Sequence, residues 1–324
     1  MKIGVLGTGL ITKRITPLLA QLEETECYAI ASRTRARAEQ AAAELGYAKA
    51  YGSYEELVSD PQVELVYIAT PHSRHYEDMK LCISHKKPVL CEKAFVLNAE
   101  QAKEIQALAA EAGVYVAEAI WPAYQPSRRI IKDLLDSGII GSVSTLTANL
   151  SFVSTQRERM MSPELAGGAL LDLGIYGLHF AAMFFGTDIE RIDSTVQFTD
   201  TGVDGMESIT LTYRDGRMAV LTHSLYARSD HQGVFYGDKG CMVVENMINP
   251  RSVTVYDDWG NFVSSAEIPP QINGYEYEFL ESIRRIQNGE IESSSMPLAH
   301  TVRVMELADT IRQQWNYKFP QEQN

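Results

Sequence analysis

A chain of 324 residues is long for one domain and comfortable for two, and 45% hydrophobic residues supply sizeable cores. A net charge of −13 with no Lys/Arg run argues against a nucleic-acid surface. No uninterrupted apolar run is long enough to span a bilayer, and Cys27, Cys82, Cys91 and Cys241 form no CxxC pair, so we read reduced thiols in a cytoplasmic protein with no membrane partner. Lys13 and Arg14 interrupt the apolar start and no cleavage-like site follows, so the N-terminus does not read as a signal peptide.

The chain opens with MKIGVLGTGLIT, an apolar strand at Ile3–Leu6 followed by Gly7-Thr8-Gly9 and a helical pattern. Strand, glycine turn and helix in that order make a dinucleotide-binding start. Gly7 allows the tight turn, and Gly9 lets backbone approach a pyrophosphate that meets the helix N-terminus at Leu10 and Ile11. Thr12 is larger than the glycine or alanine usual at the third position of the fingerprint. Pro17 inside the helix implies a kink or a late start.

Cys27–Ser32 reads as the second strand. An NAD-binding protein usually has an acid at its end, for the ribose 2′-hydroxyl; here the chain reads Ser32-Arg33-Thr34 with Arg37 one turn later. An arginine fork grips a 2′-phosphate, so NADP(H) is expected over NAD(H). The alternative is two solvated arginines at a helix start. Arg35–Leu45 is helical and stops at Gly46, Tyr54–Val58 is a short helix, and Glu64–Ala69 is a strand. That strand runs into Thr70-Pro71-His72-Ser73-Arg74-His75, a turn placed to face the nicotinamide half of a dinucleotide. His72 and His75 have metal-pair spacing, but no carboxylate or cysteine cluster supports them, and no metal is expected. Tyr76–His85 is a helix, and Pro88–Cys91 a strand ending in Glu92-Lys93-Ala94. A lysine there points into the cofactor crevice, where it donates a proton to or polarises a carbonyl. The bland alternative is an exposed surface lysine.

The GxG start, the TPxxxH turn and Glu92-Lys93 together resemble the glucose–fructose oxidoreductase / inositol dehydrogenase family. The family motif is Glu-Lys-Pro, and Ala94 stands at the proline position. Glu118-Ala-Ile-Trp121-Pro-Ala-Tyr-Gln-Pro126 follows the ExxWxxxxP pattern of the dimeric dihydrodiol dehydrogenase branch, and the likeness runs on to Trp315–Pro320. The resemblance implies a doubly wound α/β Rossmann domain over 1–120. After it comes an α+β domain with a large open, mainly antiparallel sheet over 121–324, whose closing helices either stay there or return to the first domain.

Asn98–Ala112 is a helix with Gly113 past its end, Val114–Ala117 a last strand, and Trp121–Pro126 the crossing into the second domain. Arg128–Leu135 is helical, and Ser142–Val153 alternates as a half-buried strand does. Ile192–Phe198, Glu207–Tyr213, Met218–Tyr226 and Val253–Tyr256 have the same period, with hairpin-type turns at Arg214–Arg217 and Asp238–Gly240. A helix over Ala169–Phe185 covers one sheet face. The closing helices are Tyr275–Gln287 and Leu298–Gln314. The other face lacks an obvious cover, which suggests a homo-oligomer, with a dimer favoured.

Asp172 and Tyr176 are four apart on the covering helix, with His179 three beyond. Their bland readings are a helix cap for Asp172 and core packing for Tyr176 and His179. The family pattern is DxGxH; tyrosine in place of the histidine matches the dihydrodiol branch. The resemblance thus implies Lys93, Asp172 and Tyr176 as catalytic residues. Trp121 would line the substrate pocket, and Gly7, Thr8, Gly9, Leu10, Ile11, Ser32, Arg33, Arg37, Thr70, Pro71, His72, His75, Glu92 and Lys93 would hold the cofactor. Thr155–Leu165, with Arg157 and Arg159, reads as a lid or a plain connection. The function expected is hydride exchange between NADP and a carbinol or carbonyl carbon of a vicinal diol, cyclic polyol or sugar. The rival is a non-catalytic sugar or redox sensor on the same fold.

Overall fold

The computed structural model of the chain describes residues 1–323. They divide into two compact units, Met1–Tyr124 with Gln271–Val302, and Gln125–Pro270 with the residues from Arg303 onward. The single boundary expected at 120/121 is therefore a discontinuous one: the chain leaves the first unit after Tyr124 and re-enters it for 271–302.

In the first unit strands and helices alternate: β1 (Lys2–Leu6), α1 (Leu10–Leu19), β2 (Glu26–Ala31), α2 (Arg35–Leu45), β3 (Lys49–Tyr51), α3 (Tyr54–Val58), β4 (Leu65–Ile68), α4 (His72–Ser84), β5 (Val89–Glu92), α5 (Ala99–Ala112) and β6 (Val116–Ala119). Helical crossovers force parallel pairing, and the sheet runs 3-2-1-4-5-6 with every pair parallel. The apolar strands are buried along most of their length, as helices on both faces require. The strand order reverses between β1 and β4, which places a crevice beyond their carboxyl ends. The turn there demands glycine. Gly7 has φ +107°, and a Cβ on it would lie 2.6 Å from the Ala69 carbonyl oxygen at the end of β4. Pro17 falls in the last turn of α1, so the helix is short but starts on time.

The second unit contains α6 (Pro126–Asp136), β7 (Val143–Ser151), the short α7 (Glu158–Met161), a π-helical turn (Leu170–Gly174), α8 (Ile175–Phe185) and strands β8 (Ile189–Phe198), β9 (Asp204–Tyr213), β10 (Met218–Ser224), β11 (Gly233–Gly237), β12 (Gly240–Val244), β13 (Ser252–Asp257) and β14 (Phe262–Glu267). The sheet order is 14-13-12-11-7-10-9-8. All pairs are antiparallel except β7 with β10, which follows from the long crossover through α8 between β7 and the β8–β10 meander. Phe180, Phe185, Phe235 and Tyr213 pack α8 onto one sheet face, with ring centroids 5.5–6.1 Å apart. Pro163–Phe185 is long and apolar enough to cross a membrane, but 83% of its most apolar 18-residue window is buried within the chain, which makes it a core segment. The chain closes through α9 (Glu276–Gln287), in the first unit, and α10 (Leu298–Gln314).

Candidate active site

At the crevice of the first unit, Gly9 caps α1 with no side-chain hydrogen bond, and a Cβ there would meet nothing within 4 Å. Bare backbone and an uncapped helix start suit a pyrophosphate. The larger Thr12 is accommodated because its hydroxyl is satisfied locally. Its Oγ1 donates to the Gly7 carbonyl at 3.0 Å, fixing the turn from inside the helix. Thr8 is half-buried and Leu10 and Ile11 begin the helix, Leu10 being 76% exposed.

Ser32 is buried at the end of β2, its N–H bonded to the Tyr51 carbonyl at 3.2 Å. Arg33 lines a cavity of about 400 Å³ with Gly52, Ser53, Tyr54 and Arg74. The Tyr54 hydroxyl sits in the field of Arg33, Arg74 and Arg37, although burial dominates and raises its pKa. Two guanidinium groups lining one cavity are chemically suited to a phosphate. Arg74 is held there by Asp78 at 3.1 Å, and Asp78 also accepts from Thr70 at 2.7 Å. Sequence reasoning finds Arg33 and Arg37 but passes over Arg74, inside the quoted Thr70–His75 turn, and Tyr54, which only the fold brings near.

That turn starts α4 at His72, with Pro71 as its N-cap, one turn earlier than the helix read at Tyr76. His72 and His75 are buried. His75 Nδ1 lies 2.8 Å from the Ala94 carbonyl and Nε2 2.8 Å from the Thr70 carbonyl. The ring therefore ties the turn after β4 to the turn after β5, and burial holds its pKa below the ordinary value. Lys93 follows β5 with its backbone N–H bonded to Glu92 Oε2 at 3.2 Å, and the Lys93–Ala94 peptide is cis.

In the field of Glu92 lies an acid that no local sequence signal selects. Glu278 on α9 is fully buried, and neither carboxyl oxygen has a hydrogen-bond partner among the described residues. Burial first, and the charge of Glu92 second, push its pKa well above the usual carboxylate range. Glu92 is itself buried and accepts from the Tyr67 hydroxyl. Trp121 is buried and stacks on Tyr275 at 4.2 Å with rings 6° from parallel, and Arg14 Nη1 donates to the Tyr275 hydroxyl at 3.5 Å.

In the second unit, Asp172 sits in the π turn and Tyr176 in the first turn of α8, both buried. The expected single helix over 169–185 is thus a π turn joined to an α-helix, and π turns recur at functional sites. Arg159 Nη2 donates to Asp172 Oδ1 at 2.9 Å. The 155–165 loop therefore carries the cationic partner that a buried aspartate needs. His179 is buried farther along α8.

Known proteins extend this picture. A family model described as oxidoreductase family, NAD-binding Rossmann fold (GFO/IDH/MocA) matches residues 1–119, and one described as GFO/IDH/MocA C-terminal domain matches 129–243. The chain is 33% identical to trans-1,2-dihydrobenzene-1,2-diol dehydrogenase of Mus musculus, over 99% of each chain. It is 31% identical to the enzyme of the same name from Danio rerio, again over 99% of each. Among solved structures it is similar to a 3-ketoreductase from Actinomadura kijaniata in complex with NADP and TDP-benzene, with TM-score 0.90, 25% identity and 97% of each chain covered.

Glu278 gives stability a definite pH dependence. Its folded pKa lies above the value of about 4.3 expected in the unfolded chain. The stability that goes with the protonated acid is fully present below the unfolded pKa and is lost as pH rises toward the folded pKa. Each unit of upward shift corresponds to about 1.4 kcal/mol. Glu278→Gln removes this titration, so its Tm should fall less than the native Tm between pH 5 and pH 8. Two parallel melting curves across that range would refute the assignment.

Proposed function

Because the chain belongs to the GFO/IDH/MocA family of NAD-binding oxidoreductases, we propose that it is an NADP-dependent enzyme that interconverts a carbinol and a carbonyl on a vicinal diol, cyclic polyol or sugar. The observation that carries the NADP preference is the cavity lined by Arg33, Tyr54 and Arg74, with Arg37 also within the electrostatic field at Tyr54. The dihydrodiol dehydrogenase relatives and the NADP-bound ketoreductase support the substrate class and the cofactor.

Gly7, Gly9 and the start of α1 would hold the pyrophosphate, and Arg33 with Arg37 the 2′-phosphate. Thr70–His75 and Glu92-Lys93 would face the nicotinamide half. When bound, the dinucleotide supplies the hydride donor or acceptor. We assign proton transfer to Tyr176, polarisation of the substrate oxygen to Lys93, and orientation to Asp172, which Arg159 pairs with at 2.9 Å. Variants of the ketoreductase solved with a lysine or a tyrosine replaced are consistent with roles for those residue types in that relative.

The exposed face of the second unit's sheet, with Met206 and Met218 on adjacent strands and Tyr236 on β11, is our candidate dimer surface. Light scattering at micromolar concentration should give a mass near twice 36.1 kDa; a 36.1 kDa particle alone would contradict the dimer.

Calorimetric titration should show NADP⁺ binding more tightly than NAD⁺, with Arg33→Asp narrowing the ratio by about tenfold to a hundredfold, the worth of one charged contact. Equal native affinities would sink the preference. With NADP⁺ and a panel of trans-1,2-dihydrobenzene-1,2-diol, inositols and aldoses, Tyr176→Phe should lower kcat by about 10²–10⁴ and Lys93→Met should abolish turnover, both with cofactor affinity retained. His179→Asn is the control, and a larger loss there than in Tyr176→Phe would move the proton-transfer role.

A further inference from the structure

The segment that carries Asp172 and Tyr176 rests its bare backbone on titratable side chains of the sheet beneath it. A Cβ on Gly168 would overlap Asp204 Oδ1, one on Gly174 would overlap Glu207 Oε1, and one on Gly177 would overlap His223 Nε2. Asp204 Oδ2 accepts the Leu170 N–H at 2.5 Å. Glu207 and His223 are opposite residues in the β9–β10 register, with Oε1 and Nδ1 2.9 Å apart. All three side chains are almost wholly buried, at 2%, 3% and 1% exposure.

Packing alone does not account for this choice of residues. Apolar side chains would fill the same space without the penalty of burying three polar groups. They could not, however, accept the Leu170 N–H. Leu170 opens the helix, so its N–H has no intrahelical acceptor and needs a partner from outside. Burial also favours the neutral form of each member: the two acids keep their protons and the imidazole gives up its second one. Burial pushes Glu207 up to about 8 and His223 down to about 3, and Asp204 is raised by burial and by the neighbouring Glu207. Tyr317, following α10, is a further titratable group facing Asp204. Neutral at its centre, the trio bears on the glycines without drawing water in.

We propose that Asp204, Glu207 and His223 are positioning residues: they fix the backbone of Leu170–Gly177 on the sheet and thereby set where Asp172 and Tyr176 stand. The proposal rests on the catalytic assignment of Asp172 and Tyr176 made above. It differs from a purely structural role in its consequence for kcat. A displacement of the turn by a fraction of an ångström leaves the fold and the cofactor site of the other unit unchanged, yet slows the chemical step.

The test uses the full chain, NADP⁺ and the panel substrate turned over fastest. Gly177→Ala drives a methyl into the His223 ring and should lower kcat about tenfold or more, with the Kd for NADP⁺ within about twofold of native. In Gly177→Ala/His223→Ala the methyl enters vacated space, and kcat should recover most of the loss, a coupling that independent sites do not show. Glu207→Gln keeps an acceptor for His223 Nδ1 and should hold kcat within about threefold, whereas Glu207→Leu should lose as much as Gly177→Ala. Hydrogen exchange gives a readout without turnover: amides of Leu170–Gly177 should exchange faster in Glu207→Leu while those of β12 and β13 stay as in the native chain. Native kcat in Gly177→Ala, or no recovery in the double variant, overturns the proposal. Should Gly177→Ala not fold, equal kcat in the two Glu207 variants overturns it instead. Tyr176→Phe, run alongside, separates the two layers. Native turnover there removes the catalytic assignment, whereas loss there with unchanged Gly177 and Glu207 variants removes only the positioning role.

Discussion

The absence of a side chain at Gly7 is the constraint on which the first unit depends. Its backbone passes so near the Ala69 carbonyl that any Cβ would collide, and its φ of +107° is one that L side chains rarely adopt. That close passage brings the ends of β1 and β4 together at the point where the sheet order reverses. Everything proposed to hold the dinucleotide depends on it. The helix that offers its N-terminus begins three residues on, and the Thr70–His75 turn begins one residue beyond the carbonyl that Gly7 approaches. Thr12 closes the arrangement by bonding the Gly7 carbonyl, so the enlarged third fingerprint position strengthens the turn that glycine makes possible.

The second unit solves a related problem with the opposite chemistry. There bare backbone meets buried acids and an imidazole instead of a carbonyl. Hydrogen bonds to buried polar groups are directional, whereas apolar contacts tolerate sliding, so polar support suits a segment whose exact height matters. The Arg159–Asp172 pair holds the same turn through a side chain. Asp172 is thus held by a long, partly exposed arginine, while the backbone beneath it is held by short buried groups.

Local signals are legible in the sequence and long-range ones are not. The parallel sheet, the Gly7–Gly9 turn, the Arg33 and Arg37 departure from an acid, and the Glu92-Lys93 strand end all follow from neighbouring residues and a fixed strand–helix rhythm. The strands β3, β11, β12 and β14 do not stand out, because runs of three to six residues with glycine at or near their ends carry little periodicity. The π turn is invisible because one extra residue in a helix leaves the apolar pattern nearly intact. Tyr54, Arg74 and Glu278 gain their meaning from partners brought near by folding: Glu278 lies far along the chain from Glu92, and nothing local distinguishes it from a solvated glutamate on an amphipathic helix.

Buried acids near both sets of proposed catalytic residues share one physical logic. The chain carries 42 acidic against 29 basic residues, so its solvated surface already disfavours further negative charge. Glu278, Asp204 and Glu207 add little to that charge, because burial, with a neighbouring acid for Glu278 and Asp204, raises their pKa values. A protonated carboxyl is a hydrogen-bond donor as well as an acceptor, and it presents little charge to a neighbouring cation. At the end of β5 this matters directly: a protonated Glu278 adds no second negative charge beside Glu92, the residue before Lys93. Around Tyr54 the balance is reversed, with three guanidinium groups set against one buried aspartate. Negative charge is thus reduced beside the proposed catalytic lysine by burial, and positive charge is gathered at the proposed phosphate site by the arginines that the fold brings to Tyr54.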